Sequence, residues 1–96
     1  VEMTVVDKIV SRAASKVQNA TDYGLEEIRN QTKVIPVLQA RILFVRLLRD
    51  KDVPLRQIGV TINRDYASVR HLLEVYRNEY DTDSLFRKLA NTVGLF

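Results

Sequence analysis

The chain has 96 residues, of which 46% are hydrophobic and 28% charged, and it carries a formal net charge of +3. That length and apolar content are enough for one globular domain over residues 1–96 with its own core, without metal or disulfide staples. The absence of cysteine excludes disulfides, thiolate-bound zinc and thiol catalysis and fits a reducing compartment, so the cytoplasm is the expected location; Lys8 and Arg12 break the first apolar stretch, and no run approaches the length of a membrane span.

Taken in chain order, Val5, Val6, Ile9, Val10, Ala13, Ala14 and Val17 recur at spacings of three and four, which predicts an amphipathic helix from about Thr4 to Asn19. Thr4 followed by Asp7 reads as a capping box with Asp in the place of the usual Glu. Asn19-Ala20-Thr21-Asp22 is rich in cap-forming residues, and Leu25 with Ile28 predicts a short helix over about Asp22 to Arg29. Arg29-Asn30-Gln31-Thr32-Lys33 has no apolar residue and is expected to be a loop. A third helix begins between Thr32 and Pro36 and runs to about Asp50, with Leu38, Ile42, Leu43, Val45 and Leu47 making it the expected core helix.

Lys51-Asp52-Val53-Pro54 breaks the pattern again, with Asp52 or Val53 as N-cap and Pro54 in the first turn of a fourth helix that reaches about Ile62. Leu55, Ile58 and Ile62 share one of its faces. Asn63 and Arg64 form a turn, and a fifth helix follows from about Asp65 to Glu79, its apolar side made of Val69, Leu72, Leu73, Tyr76 and Tyr80. Asp81-Thr82-Asp83 ends that helix and caps a last one, in which Leu85, Phe86, Leu89, Ala90 and Val93 recur before Gly94 stops it. The fold expected is all-α, a compact bundle of five to six helices with no strands and no internal repeat. Within it, residues from about 52 to 80 make a helix-turn-helix of the kind found in the Trp repressor.

Catalytic chemistry finds little to stand on. There is one histidine, there are three glycines and there is no phosphate-binding glycine loop, so no enzyme, cofactor, metal or small-molecule substrate is expected. A metal role for His71 has only Glu74 beside it at helical spacing, and a solvated or phosphate-contacting imidazole is the simpler reading. The charge is unevenly distributed. Between Arg41 and Arg77 lie eight basic residues (Arg41, Arg46, Arg49, Lys51, Arg56, Arg64, Arg70, Arg77) and four acidic ones (Asp50, Asp52, Asp65, Glu74), while the ends of the chain are near neutral. Such a stretch suits a phosphate-facing surface, although on charge alone a solvated face with ordinary ion pairs is the simpler reading.

With Val69, Leu72, Leu73 and Tyr76 facing the core, helix geometry turns Ala67, Arg70, His71 and Glu74 outward, with Tyr66 and Ser68 flanking the first turn. The N-terminal end of a recognition helix is the part that enters a major groove, and Arg64 sits there. A merely structural helix hairpin has the same local pattern.

The segment Leu55-Arg56-Gln57-Ile58-Gly59, followed by Arg64-Asp65-Tyr66-Ala67-Ser68-Val69-Arg70-His71, resembles a known signature. It is that of the C-terminal DNA-binding domain of the bacterial replication initiator DnaA, which reads Leu-Pro-Glu-Ile-Gly, a spacer, then Arg-Asp-His-Thr-Thr-Val-x-His. Upstream, Ala40-Arg41 with Leu43, Leu47, Arg49 and Asp50 is similar to the helix of that family preceding the signature, and Thr21-Asp22 with Leu25 and Arg29 to the stretch leading into its basic loop. The chain departs from the pattern at Tyr66, where the family has histidine, at Ala67, where it has threonine, and at Ile62-Asn63, where a Gly-Gly pair is missing and the spacer is one residue shorter.

The resemblance implies double-stranded DNA binding in replication initiation or its regulation. It places Arg64 at phosphate or guanine contacts, Asp65 and Tyr66 at base edges, Ala67 and Ser68 at the two threonine positions, and Arg29 or Lys33 in a minor-groove loop. Arg41, Lys51, Arg56 and Arg70 are expected to support phosphates, and His71 completes the outward set. Full-length initiators assemble through an ATPase module, so a partner ATPase domain or other replication proteins are implied. A helical protein-binding adaptor on the same fold and a helix-turn-helix transcriptional regulator are the alternatives, and neither requires a membrane.

Overall fold

A computed structural model describes residues 3–95, and within them the apolar spacing becomes six α-helices: α1 (Val5–Thr21), α2 (Leu25–Ile28), α3 (Ile35–Asp50), α4 (Leu55–Ile62), α5 (Tyr66–Thr82) and α6 (Ser84–Thr92). No strand occurs among the described residues. The capping box at the start of α1 forms in both directions: Thr4 Oγ1 accepts the Asp7 N–H at 3.1 Å and the Asp7 carboxylate accepts the Thr4 N–H at 3.1 Å. α1 runs two residues past its expected end because Asp22, in the left-handed region at φ 68°, is what terminates it. The reversal from Asp22 to Gly24 then shortens α2 to a single turn, started by the Gly24 N–H donating to the Glu27 carboxylate.

α3 is the core helix. Val37, Ala40, Ile42, Leu43, Phe44, Val45, Leu47 and Leu48 are all buried, around most of its circumference, and α1, α2, α4 and α5 pack on it. A helix apolar on nearly every side belongs in the middle of a bundle, and truncating a residue such as Leu43 to Ala costs about 2–5 kcal/mol by loss of transfer energy and a residual cavity.

The start of α4 differs from expectation. Pro54, not Asp52 or Val53, precedes its first residue and provides no side-chain cap. Asp52 instead adopts φ 62° to reverse the chain, Val53 is buried, and exposed Arg49 donates to the Val53 carbonyl at 3.2 Å. The connection from α4 to α5 is residues 63–65, with Asn63 in the left-handed region at φ 60°. Asparagine tolerates that conformation better than most residues. The Arg64 N–H then returns to the Gly59 carbonyl at 2.8 Å. Gly59 is required here: a Cβ on it would lie 2.6 Å from the Arg64 carbonyl oxygen. Ile58 and Ile62 from α4 and Val69 and Leu72 from α5 are buried together beneath this turn.

α5 is longer than expected, ending at Thr82, after which the Asp83 carboxylate caps α6 by accepting the Leu85 and Phe86 N–H groups at 3.0 and 3.1 Å. α6 stops as its glycine suggests. Gly94, at φ 95°, donates to Asn91, and Leu95 donates back to Ala90 at 2.9 Å while burying its side chain, the Schellman arrangement. Among the described residues no helix is long and apolar enough to cross a membrane.

Candidate nucleic-acid interface

The site is built on the helix-turn-helix of α4, residues 63–65 and α5. Asp65 is the N-cap of α5, and its Oδ1 accepts the Ser68 N–H at 2.7 Å, which holds the carboxyl below the usual carboxylate range. The resemblance places Asp65 at base edges, whereas one of its oxygens is occupied by the helix it starts. The N–H groups of Tyr66 and Ala67, ahead of the first intrahelical bond, have no helical acceptor and present a positive end of the helix dipole.

Tyr66, Ala67, Arg70, His71 and Glu74 are exposed, Ser68 is half-buried, and Val69 and Leu72 are buried, so α5 presents the face that its spacing predicts. Tyr66 is 45% exposed and its ring has two cations close by, with the Arg56 guanidinium 6.0 Å and the Arg70 guanidinium 5.8 Å from its centroid. Arg56 comes from α4 and Arg70 from the next turn of α5. Cation–π attraction thus gathers two positive charges around an exposed aromatic ring.

Beside this face lies a depression of about 600 Å³, in which Lys33 and Leu38 face Arg64, Ala67, Ser68 and His71. It brings the loop at 29–33 next to the first turns of α5. Arg29 and Lys33 are exposed, and the loop turns on its own side chains: Asn30 Oδ1 accepts the Thr32 N–H at 3.1 Å and Thr32 Oγ1 accepts the Val34 N–H at 3.2 Å.

Three residues stand elsewhere than expected. Arg41 is 2% exposed, so it offers no guanidinium to a phosphate; its Nε donates to the Ile28 carbonyl at 2.8 Å and its Nη2 to the Asn30 carbonyl at 2.7 Å, with longer bonds to the Thr32 carbonyl. Burial first, and the neighbouring Arg64 charge second, lower its pKa from the ordinary guanidinium value. Its helical phase carries the signal that was missed. Val37, Phe44, Val45 and Leu48 lie four before and three, four and seven after Arg41, and all are buried.

Arg64 is half-buried and folded back, Nη1 donating to the Ile62 carbonyl at 3.4 Å and Nη2 to the Asn30 carbonyl at 3.1 Å. Lys51 is exposed at the far end of α3, where it lines a separate depression of about 200 Å³ with Arg12, Lys16 and Leu47, and it does not join the group around Tyr66.

Exposed aliphatic residues at this end of the molecule were also not anticipated. Val34 and Ile35 follow the loop directly, Ile35 being 68% exposed, and Val60 is exposed beside the turn. Val60 lies one helical turn after Arg56, a spacing that marks the same outward face of α4. Among the described residues no group of three or more His, Cys, Asp or Glu side chains is placed to hold a metal ion. No protein-family model matches the chain, nor does any curated protein.

Proposed function

We propose that this chain is a non-enzymatic module that binds double-stranded DNA, with the start of α5 in the major groove and the loop at 29–33 against the neighbouring backbone and minor groove. The observation that carries the reading is the exposed first turn of α5, where Arg56 and Arg70 both approach the Tyr66 ring and the 29–33 loop adjoins. Arg56 and Arg70 neutralise phosphates on the groove walls, and the Tyr66 and Ala67 amides favour a further phosphate. Tyr66, the Ala67 methyl and Ser68 face base edges, the methyl suiting a thymine C5-methyl contact. The resemblance to the DnaA C-terminal domain supports a role in replication initiation or its regulation, with an ATPase partner supplying assembly.

Salt titration of duplex binding is the test. If Arg29, Lys33, Arg56 and Arg70 each neutralise a phosphate, log affinity falls with log salt at a slope of about −3.6, so affinity drops about a hundredfold between 50 and 200 mM salt. A chain that shifts no duplex at any salt is not a DNA binder. The exposed aliphatic side chains of Val34, Ile35 and Val60 favour a second reading, a protein-binding adaptor. That reading requires partner binding insensitive to salt over the same range.

A further inference from the structure

The loop at 29–33 has no buried apolar side chain to hold it. Arg29, Asn30, Gln31 and Lys33 are exposed and Thr32 is half-buried. Its position is set instead by hydrogen bonds to its carbonyl oxygens, and these come from two directions. From the core, Arg41 donates to Ile28, Asn30 and Thr32. From the helix-turn-helix, Arg64 reaches across 34 residues of sequence to the same Asn30 carbonyl. A carbonyl oxygen has two lone pairs, and here one guanidinium lies at 2.7 Å and the other at 3.1 Å from it.

The Arg64 backbone is in turn immobilised by the turn itself, since its N–H is bonded to Gly59 and its carbonyl oxygen lies against the Gly59 Cα. A continuous set of short-range bonds therefore runs from the turn ahead of α5, through Arg64 and Asn30, to Arg41 on the core helix.

We propose that Arg64 and Arg41 are positioning residues that clamp the Asn30 carbonyl between them, fixing the 29–33 loop relative to the start of α5 so that both reach DNA as one rigid body. This deepens the DNA-binding reading and rests on it. Arg64 then contributes to affinity through the loop it holds, not through a base or phosphate of its own. Two like charges converge on one acceptor, and after burial the Arg64 charge is the second cause that lowers the Arg41 pKa. The arrangement places Arg29 and Lys33 at a set distance from Arg56 and Arg70, which lets one phosphate register satisfy both groups without ordering the loop at the moment of binding.

The test uses Arg64→Ala, because Arg64 is only half-buried and its removal leaves the core intact. In the free protein, amide exchange of Thr32 and Val34 is expected to accelerate about tenfold while that of Leu43 and Leu48 is unchanged, the mark of local opening. On DNA, Arg64→Ala is expected to weaken binding about tenfold in the otherwise native chain and less than about threefold when Arg29 and Lys33 are already alanine, since residues acting through one network are not additive.

An equal loss in both backgrounds means that Arg64 touches the duplex itself and overturns the clamp. Unchanged exchange at Thr32 and Val34, or unchanged affinity in the native background, overturns it as well. Should the native chain bind no duplex, the DNA reading fails, and the exchange measurement alone decides whether the clamp exists.

Discussion

From the middle of α3, Arg41 reaches back toward the start of the helix and is sealed among the carbonyls of the 28–32 segment; at the C-terminal end, Arg49 lies exposed and donates once, to the Val53 carbonyl. Both arginines brace a connection flanking the same helix, Arg41 the one before it and Arg49 the one after it, and at the far end Lys51 joins Arg12 and Lys16. The difference is burial and partner number. Where the guanidinium is enclosed and multiply bonded, the turn becomes a fixed platform next to α5; where it is exposed and bonded once, the turn is held by Val53 burial and the charge is left to solvent. Counting basic residues therefore does not locate a binding face, because a guanidinium already bonded to backbone carbonyls is not free for a phosphate.

Arg41→Ala leaves the Ile28 and Thr32 carbonyls without a side-chain donor and the Asn30 carbonyl with Arg64 alone, and it opens a void in the core. It is expected to cost about 3–5 kcal/mol in urea or thermal unfolding, from lost hydrogen bonds to buried acceptors together with the cavity. A loss below about 1 kcal/mol would mean that the loop is held by something other than Arg41. Next in size, Gly59→Ala pushes a methyl against the Arg64 carbonyl oxygen and is expected to cost about 1–3 kcal/mol by overpacking, with the α4–α5 turn shifting. An alanine variant as stable as the native chain would show that the turn has room to give.

Arg49→Ala, the counterpart of Arg41→Ala at the far end, is expected to cost only about 0.5 kcal/mol by the same unfolding measurement. A loss matching that of Arg41→Ala would erase the distinction between the two ends.

The smallest effect is a pH dependence at Asp65. Its folded-state pKa lies below the ordinary value of 3.8, because the carboxylate accepts the Ser68 N–H. The cap therefore adds stability above that ordinary value, and the contribution is lost as pH falls through the lower folded value. A carboxyl ¹³C titration of Asp65 should show a midpoint below 3.8, and Asp65→Asn should flatten this part of the acid-unfolding curve. A midpoint at or above 3.8 would show that the cap does not form in solution.

Much of the fold is legible because its signals are local. Thr4 with Asp7, Asp83 ahead of Leu85, and Gly94 after Val93 each act within a few residues, and each works as its pattern suggests. The outward face of α5 follows from helical phase alone. The start of α4 is misplaced because what shapes it, Val53 burial and the Arg49 bond to its carbonyl, depends on a neighbouring helix end that cap preferences do not describe. Arg41 is misplaced for a related reason: its charge outweighed its phase, although the phase marks it as buried. Arg64 shows where pattern reading stops. Its partner is a backbone oxygen 34 residues away, and no side-chain pattern encodes which carbonyl a loop will present.

On the proposed function, DNA meets the loop-side end of the molecule and not the lysine-bearing far end of α3. Amide chemical-shift mapping during titration with a duplex selected from a random pool tests it most directly. The largest shifts are expected in Tyr66–His71 and in Arg29–Lys33, with Arg12, Lys16 and Lys51 little changed. Shifts concentrated at Arg12, Lys16 and Lys51, with the start of α5 silent, would contradict it.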